Sequence, residues 1–319
     1  MPLSEKKLIQ QIRRLARVGP SVVMGIGDDC AVLRVPPGHD LLVTTDFTIE
    51  NVHFRRDWHP PELVGRRCLT RGLSDIAAMG GEPRAAFLSL AVADDVPQRW
   101  VDRFLKGLLD LAAEFKVPLA GGDTAQSAAG IQADIVVVGS VPKGKAVLRS
   151  GAKPSEQIYV TGELGGAAAV LARLAESKPL GVGYSRYLRP QARVAVGQSL
   201  RRRGLASAMI DLSDGLSTDL DHICQESQVG VEIEAQAIPR AQVGPAKQPV
   251  ALDLALHGGD DYELLFTSAA AVPAQIAGVR VTRIGRILQS SGMRMWLIGA
   301  DGKRQPLKAA GWEHFKGNL

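Results

Sequence analysis

The sequence predicts a two-domain protein of mixed α+β and α/β character, with sheets covered by helices rather than a doubly wound Rossmann layout. Three observations carry that expectation. Apolar runs of strand character alternate with segments of helical spacing, but irregularly and without clean βαβ repetition. Composition shifts near the middle of the chain, at residues 141–154 (VPKGKAVLRSGAKP), where Gly, Pro and basic residues gather. A length of 319 residues, 45% hydrophobic with 34 glycines, suits one large or two medium compact domains. The expected domains are residues 1–148 and 149–319.

Taken in order, residues 4–16 have amphipathic helical spacing, with Ser4 as cap and Leu8, Ile9, Ile12 and Leu15 on one face. Residues 31–35 and 41–45 read as strands about a Pro36-Pro37-Gly38 turn, and the polar stretch 46–59 reads as a loop. Helical spacing over 62–79 (Leu63, Val64, Cys68, Leu69, Leu73, Ile76) ends at Gly80-Gly81. A strand over 84–93 and a helix over 97–115, with Trp100, Phe104, Leu108 and Leu111 on one face, come next. Residues 118–120 lead into Gly121-Gly122-Asp123, and 131–141 form a β-branched strand. The second half reads as strands over 157–161, 208–212, 231–235, 262–267, 280–287 and 294–298, with helices over 165–175, 191–203 and 218–227.

Several function classes are disfavoured. No window approaches the roughly 18 apolar residues of a membrane span. Lys6, Lys7, Arg13 and Arg14 interrupt any signal-peptide core, and three scattered cysteines (Cys30, Cys68, Cys224) argue for reduced thiols, so a cytoplasmic protein is expected. The net charge of +5 is not clustered among aromatics as a nucleic-acid binder requires. Its densest run, Arg201-Arg202-Arg203, ends a helical pattern, where the helix dipole favours cations. There is no G-x-G-x-x-G and no His/Cys zinc set. Residues 139–145 match G-x-x-x-x-G-K, but Ala146 replaces the Mg-binding hydroxyl and no helix pattern follows, so the match is accidental.

What recurs instead is an acidic loop. Gly25-Ile26-Gly27-Asp28-Asp29 is followed by Thr44-Thr45-Asp46, Leu73-Ser74-Asp75, Gly121-Gly122-Asp123, Asp211-Leu212-Ser213-Asp214-Gly215 and Gly258-Gly259-Asp260-Asp261. Any one of these reads as a capped turn. Asp75, however, lies inside a helix pattern, where Asp is a poor helix former. Gathered carboxylates repel one another and demand cations. Oxygen donors without His or Cys suit Mg²⁺, and Mg²⁺ with several carboxylates points to phosphate chemistry.

These motifs, with Asn51-Val52-His53-Phe54, Arg149-Ser150-Gly151-Ala152, Tyr159-Val160-Thr161-Gly162, Leu188-Arg189-Pro190, Asp260-Asp261-Tyr262-Glu263-Leu264 and the tail Gly311-Trp312-Glu313-His314-Phe315, resemble the thiamine-monophosphate kinases. That family belongs to the aminoimidazole-ribonucleotide-synthetase-like superfamily. The motifs occur in order from residue 25 to 315, essentially the whole chain. The resemblance implies ATP-dependent phosphorylation of thiamine monophosphate to thiamine diphosphate. It implies several Mg²⁺ ions held by Asp28, Asp29, Asp46, Asp75, Asp123, Asp211 and Asp214, assisted by Thr44 and Thr45. Asp46, Asp75, Asp123 and Asp214 are the implied catalytic carboxylates. Nucleotide contacts fall on Gly122, Asp123, Arg149 and Ser213, and substrate contacts on His53, Asp260 and Trp312. The family usually has Glu where this chain has Asp260. The implied PurM-like fold has an N-terminal metal- and ATP-binding domain that pairs two subunits through a barrel-like sheet, giving a homodimer, and a C-terminal α/β domain that completes the active site. The acceptor is a phosphate oxygen, anionic at neutral pH, so direct in-line attack needs no protein nucleophile. Alternatives are an ATP-dependent relative such as aminoimidazole ribonucleotide synthetase or selenophosphate synthetase, or a nucleotide-binding scaffold without turnover. The absence of Cys before Asp28 counts against the selenophosphate enzyme, and the full set of acidic positions against the scaffold.

Overall fold

Strands that bury one face and leave the other open must pair edge to edge, and the first half of the chain does so in one four-stranded sheet. The computed structural model describes residues 3–17, 19–27, 30–181, 183–289 and 294–315. The chain divides into two units, Met1–Ile76 with Gly81–Gly144, and Ala77–Gly80 with Lys145–Asn318.

The first unit runs α1 (Glu5–Leu15), β1 (Val22–Met24), β2 (Val32–Leu33), β3 (His39–Ile49), α2 (Pro61–Ala78), β4 (Glu82–Val92), α3 (Gln98–Phe115), β5 (Leu119–Gln126) and β6 (Ile131–Pro142). The sheet order is β3-β6-β4-β5, with only β4 and β5 parallel. Helix α2 lies over the face that carries Thr44 and Val137: a Cβ at Gly72 would come within 2.5 Å of Val137 Cγ2. Helices α2 and α3 meet backbone to backbone through glycines, since a Cβ at Gly107 would lie 1.9 Å from Glu62 O and one at Gly65 2.0 Å from Phe104 O. The other face of β3 leaves Leu41, Val43 and Phe47 more than half exposed, at 52%, 62% and 58%.

Four expectations are corrected here. Strand β3 continues to Ile49 through part of the expected loop, because it pairs with β6 along its whole length, from His39↔Pro142 to Ile49↔Gln132. The expected strand over 31–35 shrinks to Val32–Leu33, which pairs with the unanticipated β1. The Gly121-Gly122-Asp123 turn is instead the middle of β5, held by parallel pairing to β4. Ser4 occupies the N-cap of α1 with extended backbone but makes no side-chain cap bond, and of its predicted apolar face only Leu8 and Ile12 are buried.

The second unit contains β7 (Gln157–Thr161), α4 (Gly166–Ala175), α5 (Val194–Arg202), β8 (Ala208–Asp211), α6 (Leu216–Ser227), β9 (Gly230–Glu234), β10 (Gln242–Val243), β11 (Gln248–Pro249), α7 (Leu252–His257), β12 (Leu264–Ser268), β13 (Gln275–Ile276), β14 (Val279–Leu288), β15 (Met295–Ile298) and β16 (Arg304–Pro306). Its main sheet has the order β16-β15-β9-β14-β7-β12-β8, and β13 pairs with β14. Within that sheet only β15 and β9 run parallel, so the layout is not doubly wound. Leu216, Leu220 and Ile223 of α6, spaced as one helical face, join Ile158, Val160, Ile210 and Leu265 of the sheet in one core. The triple-Arg run behaves as expected: Arg201 and Arg202 close α5, Arg203 is its C-cap, and Gly204 turns left-handed at φ 61°. The glycine of the false phosphate motif, Gly139, sits inside β6 opposite Leu42, with no helix after it. All three cysteines are unpaired. Among the described residues no helix is long and apolar enough to cross a membrane.

Two carboxylates, the buried Glu263 and the half-buried Asp261, fasten the loop after α7. Glu263 is clamped by Arg193 (Nε to Oε2, 2.7 Å) and accepts from Thr161 Oγ1 at 2.5 Å. Asp261 accepts the Gly165 amide at the N-terminus of α4, at 2.7 Å. Burial, with smaller contributions from the charges of Glu263 and Asp260, pushes the Asp261 carboxyl up to about 8, against the lowering from the Gly165 and Ala167 amides.

Alanine at Gly107 would gain about 1 kcal/mol of helix propensity, yet its methyl would strike the backbone of α2. We expect Gly107→Ala to lower stability by about 1–3 kcal/mol; an unchanged or raised Tm would contradict the glycine contact. Asp261 holds its proton in the folded state up to about pH 8, whereas the unfolded chain loses it near 3.8. Its contribution to stability is therefore fully present below pH 3.8 and falls as pH rises toward 8. Asp261→Asn should flatten that part of the Tm–pH curve, and an unaltered slope would show that Asp261 does not titrate this way.

Candidate active site

Strand alternation decides which acidic residues of the first unit can meet. On β3, Thr44 and Asp46 point toward α2, and Thr45 points to the opposite face. Thr44 Oγ1 makes a short hydrogen bond to Asp75 Oδ2. This gives Asp75 its reason for standing in a helix. Arg71, one turn earlier on the same face of α2, places Nη1 3.6 Å from Asp46 Oδ1 and donates to Phe47 O at 2.9 Å. Thr44, Asp46 and Asp75 thus form one oxygen-donor set with an arginine at its edge. Thr45 belongs to the other face, where its hydroxyl donates to Asp134 Oδ1 at 2.6 Å.

Asp123 also lies on that other face, in a row with Ser89, Asp134 and Phe47. Its carboxylate is exposed and accepts only the neighbouring Thr124 amide, at 2.8 Å, among the bonds of the described residues. Gly122 has φ 145°, and a Cβ there would lie 1.8 Å from Leu88 O, so the backbone of β5 admits only glycine at that point. Gly121, Gly122, Asp123 and Thr124 line a cavity of about 700 Å³ together with Gly25 and Gly27. Asp28 and Asp29 lie outside the described residues. His53 sits in the turn after β3 and its Nδ1 accepts the Ile49 amide at 3.0 Å, which leaves Nε2 as the nitrogen that carries the proton in the neutral ring.

In the second unit, β8 delivers Asp211, 3% exposed, to a turn that carries Ser213 and Asp214 into α6. Asp219, on the first turn of that helix and 1% exposed, accepts the amides of Asp214 (3.2 Å) and Gly215 (3.1 Å). Its carboxyl is held well above the ordinary range, first by burial and then by the charges of Asp211 and Asp214. Asp214, Asp219 and His222 bring ligand atoms within 4.8 Å of one another. Neither Asp219 nor His222 was among the residues expected from sequence, although their three-residue spacing on a predicted helix puts them on one face.

Two of the three expected substrate residues, Asp260 and Trp312, hang on this same turn. Ser213 O accepts the Asp260 amide at 2.8 Å, and Asp214 O accepts the Trp312 amide at 2.9 Å. Asp260 and Tyr262 both have left-handed backbone, at φ 67° and 52°, and Tyr262 Oη donates to Asp260 Oδ1 at 2.7 Å. The Trp312 indole is 44% exposed and meets the His314 ring edge-on. Arg149 opens a 3-10 turn, exposed, with its carbonyl bound by Ser227 Oγ at 2.7 Å. Among the described residues its guanidinium is in no ion pair. Each unit therefore presents crowded oxygen donors of the kind a hard divalent cation relieves.

Comparison with known proteins places the chain in a family. Family models of the AIR synthase related protein match residues 27–141 with the N-terminal domain and 153–300 with the C-terminal domain. The thiamine-monophosphate kinase of Escherichia coli is 38% identical over 309 residues, which span 92% of this chain and 92% of its own. The crystal structure of thiamine-monophosphate kinase from Stenotrophomonas maltophilia superimposes with a TM-score of 0.80 at 34% identity, covering 95% of this chain and 98% of that one. AaThiL, solved in complex with AMPPCP and TMP, gives a TM-score of 0.75 at 31% identity, covering 97% and 96%. With likeness of this extent in both sequence and fold, the chain belongs to the thiamine-monophosphate kinase family.

Proposed function

We propose that this protein transfers the γ-phosphoryl group of ATP to the phosphate of thiamine monophosphate, releasing ADP and thiamine diphosphate. The observation that carries this reading is the likeness, over nearly the full length of both chains, to the E. coli kinase and to AaThiL bound to AMPPCP and TMP. The donor chemistry supports it. Thr44, Asp46 and Asp75 offer only oxygens, and burial, followed by the charges of Asp211 and Asp214, disfavours ionisation of Asp219. Both sets suit Mg²⁺; Thr45 and Asp123 offer oxygens on the opposite face of the first unit's sheet, and the Asp28-Asp29 pair is a further candidate donor. When bound, Mg²⁺ neutralises phosphate oxygens and the charge that develops in transfer.

The chain's own residues then have positioning work. In the first unit Gly122 and Asp123 admit the nucleotide to the cavity they line; in the second, Ser213 and Arg149 are the proposed nucleotide contacts, Arg149 with a guanidinium that is in no ion pair among the described residues. His53, Asp260 and Trp312 contact the thiamine substrate. The attacking phosphate oxygen already carries charge at neutral pH, so no side chain need remove a proton. The apolar face of the first unit's sheet, with Leu41, Val43 and Phe47 in the open, is the surface through which two copies pair as a homodimer. A cytoplasmic location fits an enzyme with three reduced thiols.

Incubation with ATP, Mg²⁺ and thiamine monophosphate should yield thiamine diphosphate, and neither free thiamine nor formylglycinamidine ribonucleotide should be turned over. No turnover of thiamine monophosphate, or equal turnover of free thiamine, would sink the assignment. Asp75→Asn should lower kcat by about 100-fold or more with Tm little changed; wild-type kcat would remove Asp75 from the metal site. Sedimentation should find a dimer that Val43→Glu converts to monomer, and a monomeric wild type at micromolar concentration would exclude the sheet-face interface.

A further inference from the structure

We propose that Thr218 and Ser217 are positioning residues of the reaction: they latch the segment 310–312 onto the first turn of α6 and thereby hold Trp312 for the thiamine substrate. This rests on the reading of Trp312 as a substrate contact. After β16, Leu307 is buried (6% exposed) and its amide donates to Met295 O at 3.0 Å, so the chain is anchored there. Beyond it the chain forms no helix or strand of its own up to residue 315. Three consecutive amides are nevertheless held: Ala310 N by Ser217 Oγ (3.3 Å), Gly311 N by Thr218 Oγ1 (3.0 Å) and Trp312 N by Asp214 O (2.9 Å).

The receiving groups are themselves fixed. Ser217 is fully buried, and its Oγ shares a 2.7 Å hydrogen bond with His257 Nδ1. Thr218 follows directly on the same helical turn. The approach is so close that a Cβ at Gly311 would lie 2.1 Å from Asp214 O and 2.7 Å from Thr218 Oγ1. By contrast, 44% of Trp312 remains in solvent. The indole is thus no part of the core, and the latch fixes the backbone that carries it. Asp260 hangs separately, on Ser213 O, so release of the latch leaves that second contact in place. The effect should fall on the affinity for the thiamine substrate rather than on ATP or on phosphoryl transfer.

The test compares wild type with Thr218→Val, which keeps the side-chain shape and removes the acceptor, and with Thr218→Ser, which restores it. Hydrogen exchange at the Gly311 and Trp312 amides should accelerate in Thr218→Val and return toward wild type in Thr218→Ser. In the kinase assay Thr218→Val should raise KM for thiamine monophosphate about fivefold, the worth of one net hydrogen bond. Its kcat and its KM for ATP should stay within about twofold, because those contacts are untouched. Ser217→Ala should accelerate exchange at Ala310 first. Unchanged exchange in Thr218→Val overturns the latch. Faster exchange with an unchanged KM for thiamine monophosphate overturns its positioning role. If wild type itself does not turn over thiamine monophosphate, the functional reading fails, and the exchange arm alone still decides whether the latch exists.

Discussion

The second unit depends on one buried carboxylate. Asp219 accepts the amides of Asp214 and Gly215, which ties the turn between β8 and α6 to the helix that follows it. With its amides committed inward, the turn presents carbonyls outward. Those of Ser213 and Asp214 receive the amides of Asp260 and Trp312, residues that lie 46 or more positions further along the chain. A side chain at position 219 thus organises groups that never touch it. The arrangement needs Asp219 to be an acceptor at both amides, and a buried acid beside Asp211 and Asp214 can meet that need while protonated. Burial, and after it the charges of Asp211 and Asp214, favour the neutral form of Asp219.

The first unit meets the same crowding differently. Arg71 stands beside Asp46, and a threonine hydroxyl rather than a second acid faces Asp75. The pleat of β3 keeps Thr45 with Asp134 on the opposite side, and β5 carries Asp123 on that side too. A cation supplied by the protein and a separation imposed by the pleat both reduce repulsion without removing a donor.

Much of this was legible in the sequence, for reasons that can be named. Elements with long, clean periodicity were read correctly, because α3 and β6 bury continuous apolar faces that the chain spells out locally. The failures share a cause. Strand β5 runs through two glycines and an aspartate, residues of low strand propensity, and exists because β4 offers a parallel partner. Residues 46–49 look like loop until β6 pairs with them. The acidic residues were visible as loops, but the groups that manage their charge or orientation were not. Arg71 and Asp219 lie inside helices and look like surface polar positions, and Tyr262 looks like core.

The left-handed backbone at Asp260 and Tyr262 shows how the acid at 260 is aimed. Non-glycine residues adopt that conformation at a cost of about 1 kcal/mol or more, and keep it only when surroundings over-determine it. Here they do: the Asp260 amide is bound by Ser213 O, the Tyr262 amide by Leu212 O, and Asp261 between them caps α4. The strain is confined to the two residues on either side of the cap. One of them carries the carboxylate and the other the hydroxyl that binds it. Asp260 thus stands on a strained, fully hydrogen-bonded support, and Trp312 on an exposed strap held through three consecutive backbone amides.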